Sequence, residues 1–267
     1  MFSDLDGTFW SPMTEIHEHS LETVQTLDDH DVPFVIATGR RARGAHHGLQ
    51  PYGLGNRPAI LMNGAVVRAA LDRGESIFVR DIPEAQMVLD IFRAGDLEPV
   101  IYVDHPETDM LIGETRAAGD TYLSNTVGFE RVANIDDAIA ESTVIGFGAF
   151  GFPLELLDPI NDAINSSRLA TSVIGVSHIE GGYGIMVQSH GIDKQVGIEA
   201  WCAANDIDPK RVAVIGDGHN DIEMLSAAKI AIVPDNAPPE ITSLAHHTIA
   251  PNEAGGWSQI PELLGLG

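Results

Sequence analysis

The chain has 267 residues, 44% of them hydrophobic, enough to bury a sizeable core in one large domain or two modest ones. Its formal net charge of −24, from 39 acidic against 15 basic side chains, makes nucleic acid and anionic membrane surfaces poor partners. No run of ~18 apolar residues could span a membrane, no secretory leader is visible, and the single cysteine, Cys202, excludes an internal disulfide, so a cytoplasmic protein is expected.

A short apolar strand, Met1 to Ser3, runs into Asp4-Leu5-Asp6-Gly7-Thr8. Residues two apart on a strand share a side, and Gly7 permits a sharp turn, so Asp4 and Asp6 can converge on one pocket. One carboxylate can then attack a phosphorus atom while the other handles the leaving group's proton, as transfer through an aspartyl-phosphate requires. A plain strand end with an Asp-Gly turn fits the same residues. An amphipathic helix is predicted over Ile16 to Asp31, with Leu21, Val24 and Leu27 on one face. The apolar strand Val32 to Ala37 leads into Thr38-Gly39-Arg40, where a hydroxyl and free N–H groups can hold phosphate oxygens. That segment also suits an ordinary strand-to-helix turn.

A second helix covers Arg41 to Gln50, followed by the strand Ala59 to Met62. Asn63-Gly64 signals a hairpin, leading to Val66-Val67 and, after Asp72-Arg73-Gly74, to Ser76 to Val79. From Ile82 the pattern changes. Helices are predicted at Pro83 to Ala94, Glu114 to Leu123 and Leu154 to Asn165, with strands at Val100 to Val103, Val144 to Phe150, Leu169 to Val176 and Gly184 to Val187. No catalytic constellation falls among them, as in an inserted lid with its own sheet. After Ser189 comes the alternation helix (Lys194 to Asn205), strand (Val212 to Ile215), helix (Asp221 to Ala227), strand (Ile230 to Val233), and a helix-bearing tail, which argues a parallel sheet covered on both faces. Cys202 lies in an apolar helical stretch and reads as a core residue. The strand Val212 to Ile215 ends in Gly216-Asp217-Gly218-His219-Asn220-Asp221, the setting in which α/β proteins place their chemistry. Asp217 and Asp221 flank the turn and can face one hard cation.

Four motifs in order, Asp4-Leu5-Asp6-Gly7-Thr8, Ala37-Thr38-Gly39-Arg40, Gly191-Ile192-Asp193-Lys194 and Gly216 to Asp221, resemble those of the haloacid dehalogenase superfamily of phosphohydrolases, in its Cof-like branch. The resemblance runs from Asp4 to about Trp257 and implies a doubly wound, Rossmann-like α/β core at 1–81 and 188–267, interrupted by an α/β cap at 82–187 that sets specificity. It implies Asp4 as nucleophile and Asp6 as general acid and base. Mg²⁺ is the expected cofactor, because an all-oxygen site suits a hard octahedral cation; Asp4, the Asp6 carbonyl, Asp217 and Asp221, directly or through water, are its expected ligands. Thr38, Lys194 and Asn220 are expected on the phosphoryl oxygens, with Gly39, Arg40 and Asn63 also near the substrate.

The implied activity is hydrolysis of a small phosphate ester, sugar phosphates being common in the family. A phosphomutase must hold two phosphates, and Arg93, Arg116, Arg131 and Arg168 are the only basic residues other than histidine from Ile82 to Val187, which favours hydrolysis. A catalytically inactive binding protein is the remaining alternative. His46-His47 and His246-His247 lack the spacing of a zinc site, and His219 is assigned no role. Trp10, His178, Tyr183 and Glu180-Gly181-Gly182 are candidates to reach the substrate.

Overall fold

The computed structural model describes residues 1–11, 15–72, 75–105, 107–113, 120–124, 126–177 and 181–266. In chain order, β1 (Phe2–Ser3), α1 (Glu18–Asp29), β2 (Val35–Ala37), α2 (Ala42–Leu49), β3 (Ala59–Leu61), β4 (Val66–Arg68) and β5 (Ser76–Val79) come first. They are followed by α3 (Ala85–Ala94), β6 (Val100–Val103), β7 (Met110–Ile112), α4 (Asp120–Ser124), β8 (Phe129–Arg131), α5 (Ile135–Ala140), β9 (Val144–Phe152), α6 (Leu154–Ser167), β10 (Ala170–Val176) and β11 (Tyr183–Ser189). The chain ends with α7 (Lys194–Ala204), β12 (Ala213–Ile215), α8 (Ile222–Ala227), β13 (Ile230–Pro234), α9 (Pro239–Thr242), β14 (His247–Ile249) and α10 (Ile260–Leu263).

Two sheets result. The first has the order β14-β13-β12-β1-β2-β3-β4-β5, and the second β10-β11-β9-β6-β7-β8. In the first, strands β14 through β3 are parallel and β4 and β5 add an antiparallel edge. Its two faces bury separate cores, as the two-residue side-chain period requires. Phe34 and Ile36 join Phe9, Leu27 and Trp257 on one face. Val35 and Ala37 join Phe2, Ile198, Trp201 and Cys202 on the other. Phe2 meets Trp201 edge to face at 5.4 Å, an arrangement that orients the short first strand against α7.

The order of the first sheet places β1 between β2 and β12, so the chain runs from β1 toward β2 and β3 on one side and from β12 toward β13 and β14 on the other. A crevice opens at the carboxyl ends of strands at such a reversal, which is where ligands bind open α/β sheets. The motifs at Asp4, Thr38 and Asp217 follow these three strands directly. The hairpin expected at Asn63-Gly64 exists, with Leu61 opposite Val66, but Met62, Asn63 and Gly64 all take positive φ. A side chain at Gly64 would collide with the Asp193 carbonyl, so this glycine lets the start of α7 close on the turn.

The sequence reading missed β7, β8, α5 and β14. Three of these are three-residue strands, of which β8 (Phe129-Glu130-Arg131) and β14 (His247-Thr248-Ile249) lack the apolar run that marks β2 or β12. Of the helix expected over Glu114 to Leu123, the structure describes the segment Asp120–Ser124; residues 114–119 lie outside the described residues, as do Arg73 and Gly74 of the expected turn.

Candidate active site

Asp4 continues the first sheet, donating its N–H to the Ile215 carbonyl at 3.0 Å, and its side chain is buried at the strand end. Gly7 then turns with φ +81°, and any side chain there would overlap the Asp217 carboxylate. Thr8, fully buried, donates its hydroxyl to Asp217 Oδ1. The first motif thus packs directly against the last.

Lys194 opens α7, whose N-terminus is capped by Asp193 accepting from the Val196 N–H at 3.0 Å. Its Nζ is fully buried and donates to Asp4 Oδ1 at 2.5 Å and to Asp221 Oδ1 at 2.6 Å. The other Asp221 oxygen accepts from the Asp217 and Gly218 N–H groups at 3.1 and 2.9 Å. Both oxygens of Asp221 are therefore engaged within the protein. Its evident work is to hold Lys194 against Asp4 and to shape the turn that carries Asp217.

Burial pushes the Asp4 carboxyl up to about 7; the pull of Lys194 opposes this, and the nearby Asp221 and Asp217 carboxylates reinforce it. Asp217 is likewise raised by burial and by Asp221, against the hydrogen bond from Thr8. Burial alone pushes Lys194 down, but the Asp4 and Asp221 carboxylates outweigh it and hold its pKa above the ordinary value. One buried ammonium thus faces more carboxylate charge than it neutralises. Asp4, Asp217 and Asp221 each offer an oxygen within 4.8 Å of the others'. An oxygen-only donor set with surplus negative charge fits a hard divalent cation.

Asp6 is not one of these three carboxylates and has partners of its own. Arg40 grips it from Nε to Oδ2 at 2.7 Å and from a terminal nitrogen to Oδ1 at 2.6 Å. The Trp10 indole N–H donates to the same Oδ1 at 3.0 Å, and the Arg40 guanidinium lies 4.8 Å from the centre of the Trp10 ring. Burial would raise the Asp6 carboxyl, but the Arg40 hydrogen bonds and charge, with the Trp10 N–H, hold its pKa below the ordinary carboxylate value. Arg40, expected near the substrate, has its guanidinium committed to Asp6. Trp10, expected to reach the substrate, is instead wholly buried with its polar edge on Asp6. The sequence carried no signal for this trio, because an Arg-Asp-Trp contact spans separate turns.

Thr38 is buried at the end of β2, where its hydroxyl accepts from the Arg40 N–H at 3.1 Å. Gly39 lies against Asn63, whose Oδ1 would meet a side chain there at 2.9 Å. Asn63 accepts from Asn220 Nδ2 at 3.0 Å and donates to Gln188 Oε1 of β11 at 3.3 Å. Asn63 therefore links the last motif to the second sheet. Tyr183, proposed from sequence to reach the substrate, packs against the second sheet's core beside Phe152. His178 and Glu180 lie outside the described residues. Thr8, which sequence reasoning did not single out, is signalled only by its place at the end of the first motif.

The haloacid dehalogenase-like hydrolase family model matches residues 1–260. The phosphoglycolate phosphatase of Methanopyrus kandleri is 24% identical over 245 residues, 92% of this chain and 88% of that protein. The 5-amino-6-(5-phospho-D-ribitylamino)uracil phosphatase YitU of Bacillus subtilis is 25% identical over 265 residues, 95% of this chain and 92% of that protein. Among solved structures, the subclass IIB sugar phosphatase BT4131 superposes with a TM-score of 0.74 at 23% identity, covering 100% of this chain and 98% of its own. TM0651 of Thermotoga maritima gives 0.79 at 19% identity, covering 98% and 96%. With matching motifs, matching fold and a model spanning nearly its whole length, the chain belongs to the haloacid dehalogenase-like hydrolase family.

Proposed function

We propose that the protein is a Mg²⁺-dependent phosphatase of small phosphomonoesters that works through a phosphorylated Asp4. The observation that carries this reading is the buried Asp4–Lys194–Asp221 chain beside Asp217, at the point where the first sheet reverses. Asp4 attacks phosphorus with the oxygen not committed to Lys194. Lys194 fixes the attacking carboxylate and offers its charge to the phosphoryl oxygens, which the Thr38 hydroxyl and the Asn220 amide also bind. Asp6 protonates the departing alkoxide and then takes the proton of the water that releases phosphate.

Asp4, the Asp6 carbonyl and Asp217 would hold the Mg²⁺. Asp221, with both oxygens engaged, would act on it through water. When bound, the ion supplies positive charge that offsets the carboxylates and the incoming phosphate. The core sheet thereby carries the chemistry and the second sheet the choice of substrate. The test is phosphate release from a panel of metabolite esters in Mg²⁺ and in excess chelator. Release that stops in chelator and returns with Mg²⁺ supports the reading. Equal release in both overturns the metal's role.

A further inference from the structure

A cavity of about 550 Å³ lies between the second sheet and the Asn63–Asn220 edge of the site. Its sheet wall is built in rungs. Gly175 of β10 pairs with Gly184 of β11, which pairs with Phe150 of β9, whose ring lies over Gly184; the next rung on the same face is Val173, Met186 and Gly148. Around Gly175 no atom lies within 4 Å of where a side chain would start, so bare backbone faces open space. Val173 is 65% exposed, an unusual degree for a large apolar side chain on a strand. Phe150 stacks on Tyr122 at 4.5 Å and 18°, a rigid aromatic rim that covers Gly184 and leaves Gly175 bare.

The charge of the cavity is as informative as its shape. No lysine or arginine is among the described residues that line it, whereas Asp193 and Glu223 both do. A leaving group with its own carboxylate or second phosphate would meet like charge and no lysine or arginine there; His219, which also lines the cavity, has its Nε2 3.2 Å from Glu240 Oε1. A two-carbon acid would also leave most of the cavity unfilled. Flat apolar surface laid on the Gly175 backbone and flanked by Val173, Met186 and Phe150 would instead exclude water on both sides.

We propose that the leaving group this site selects is an uncharged alcohol bearing a flat ring, seated on the open Gly175 backbone beside the Phe150 ring that covers Gly184. This rests on the phosphatase reading above, and it sets this chain apart from its phosphoglycolate-cleaving relatives. The ester is cleaved at the P–O bond, with the alcohol leaving as the proton donor's partner and water supplying the new phosphate oxygen.

The test compares benzyl phosphate, glycerol 3-phosphate and phosphoglycolate in Mg²⁺, because these differ in ring and charge with unactivated leaving groups. We expect kcat/KM for benzyl phosphate to exceed that for glycerol 3-phosphate by about tenfold, and that for phosphoglycolate by more. Gly175→Val, at a residue with ordinary φ and open surroundings, should collapse the benzyl-to-glycerol ratio. Val173→Lys should raise the phosphoglycolate-to-benzyl ratio about tenfold. Phosphoglycolate cleaved as well as benzyl phosphate, or ratios that neither variant moves, would overturn the inference while leaving the phosphatase reading intact. If no ester releases phosphate, the phosphatase reading fails; calorimetric binding of the same three esters then decides the inference, tighter benzyl phosphate upholding it and tighter phosphoglycolate refuting it.

Discussion

The Arg40 guanidinium holds both oxygens of Asp6, at 2.7 and 2.6 Å, while its face covers the Trp10 ring. A two-pronged ion pair of this kind fixes direction as well as charge. It fixes the Asp6 carboxylate in place and keeps it ionised to lower pH than a free aspartate. The acid and base roles assigned to Asp6 therefore depend on Arg40, which makes its pKa an adjustable property of the site.

For proton donation to the leaving group the working form of Asp6 is the neutral carboxyl. Removing Arg40 raises the Asp6 pKa toward its ordinary value or above, so Arg40→Gln should move the alkaline limb of the kcat/KM profile to higher pH. Trp10→Phe keeps the ring and loses the N–H, and should move it the same way by less. Profiles measured with a poor alkoxide leaving group decide this; a limb unmoved in both variants would separate Arg40 from proton transfer.

The Asp4 pKa of about 7 makes stability depend on pH. Its folded value lies above the ~3.9 of an unfolded aspartate, so the folded state holds the extra proton between those two values. In chelator, this stabilisation is full below pH ~4 and is lost as pH rises through about 7. Binding Mg²⁺ should displace that proton, so the gain in Tm on adding Mg²⁺ should grow from pH 6 to pH 8. Thermal unfolding at both pH values, with Asp4→Asn as the control lacking the titration, measures it. A gain that shrinks with pH would reverse the sign.

Lys194 is buried between two carboxylates, and removing a buried ion's partner is far costlier than removing an exposed one. Lys194→Met should lose about 3–5 kcal/mol of stability in chelator. Mg²⁺ should recover part of that loss without recovering turnover, because the ion neutralises Asp4 but does not replace the ammonium at the phosphate. Denaturant melts with and without Mg²⁺ test this, and a loss below about 1 kcal/mol, the range of surface pairs, would make the bridge incidental.

Much of the fold was legible because the core strands are apolar runs with motif residues at their ends. Phe2, Val35 and Val214 pack on one face of the first sheet, and Asp4, Thr38 and Asp217 follow those same strands. The resemblance put Lys194 on the phosphoryl oxygens; its direct contact with Asp4, which joins positions 190 residues apart, was not anticipated. What stayed illegible depends on side-chain direction. The Arg40–Asp6–Trp10 trio, the saturation of Asp221 by Lys194 and two backbone N–H groups, and the packing of Tyr183 into the second sheet follow from turns whose φ values no alternation of hydrophobic residues encodes. The strands β8 and β14 were lost for a simpler reason, because Phe129-Glu130-Arg131 and His247-Thr248-Ile249 lack the apolar runs that marked the equally short β2 and β12.

The central claim is that Asp4 carries the phosphoryl group, and the most direct measurement traps it there. Turnover of an aryl phosphate, whose leaving group needs little protonation, in Mg²⁺, by the unaltered protein and by Asp6→Asn, is quenched in acid and reduced with borohydride, which converts an acyl phosphate to the alcohol. Peptide mass mapping then locates the reduced residue. We expect homoserine at position 4 in both proteins, more of it in Asp6→Asn because hydrolysis of the intermediate has lost its base, and none in Asp4→Asn. Modification at Asp6 or elsewhere, or steady turnover by Asp4→Asn, would contradict the account.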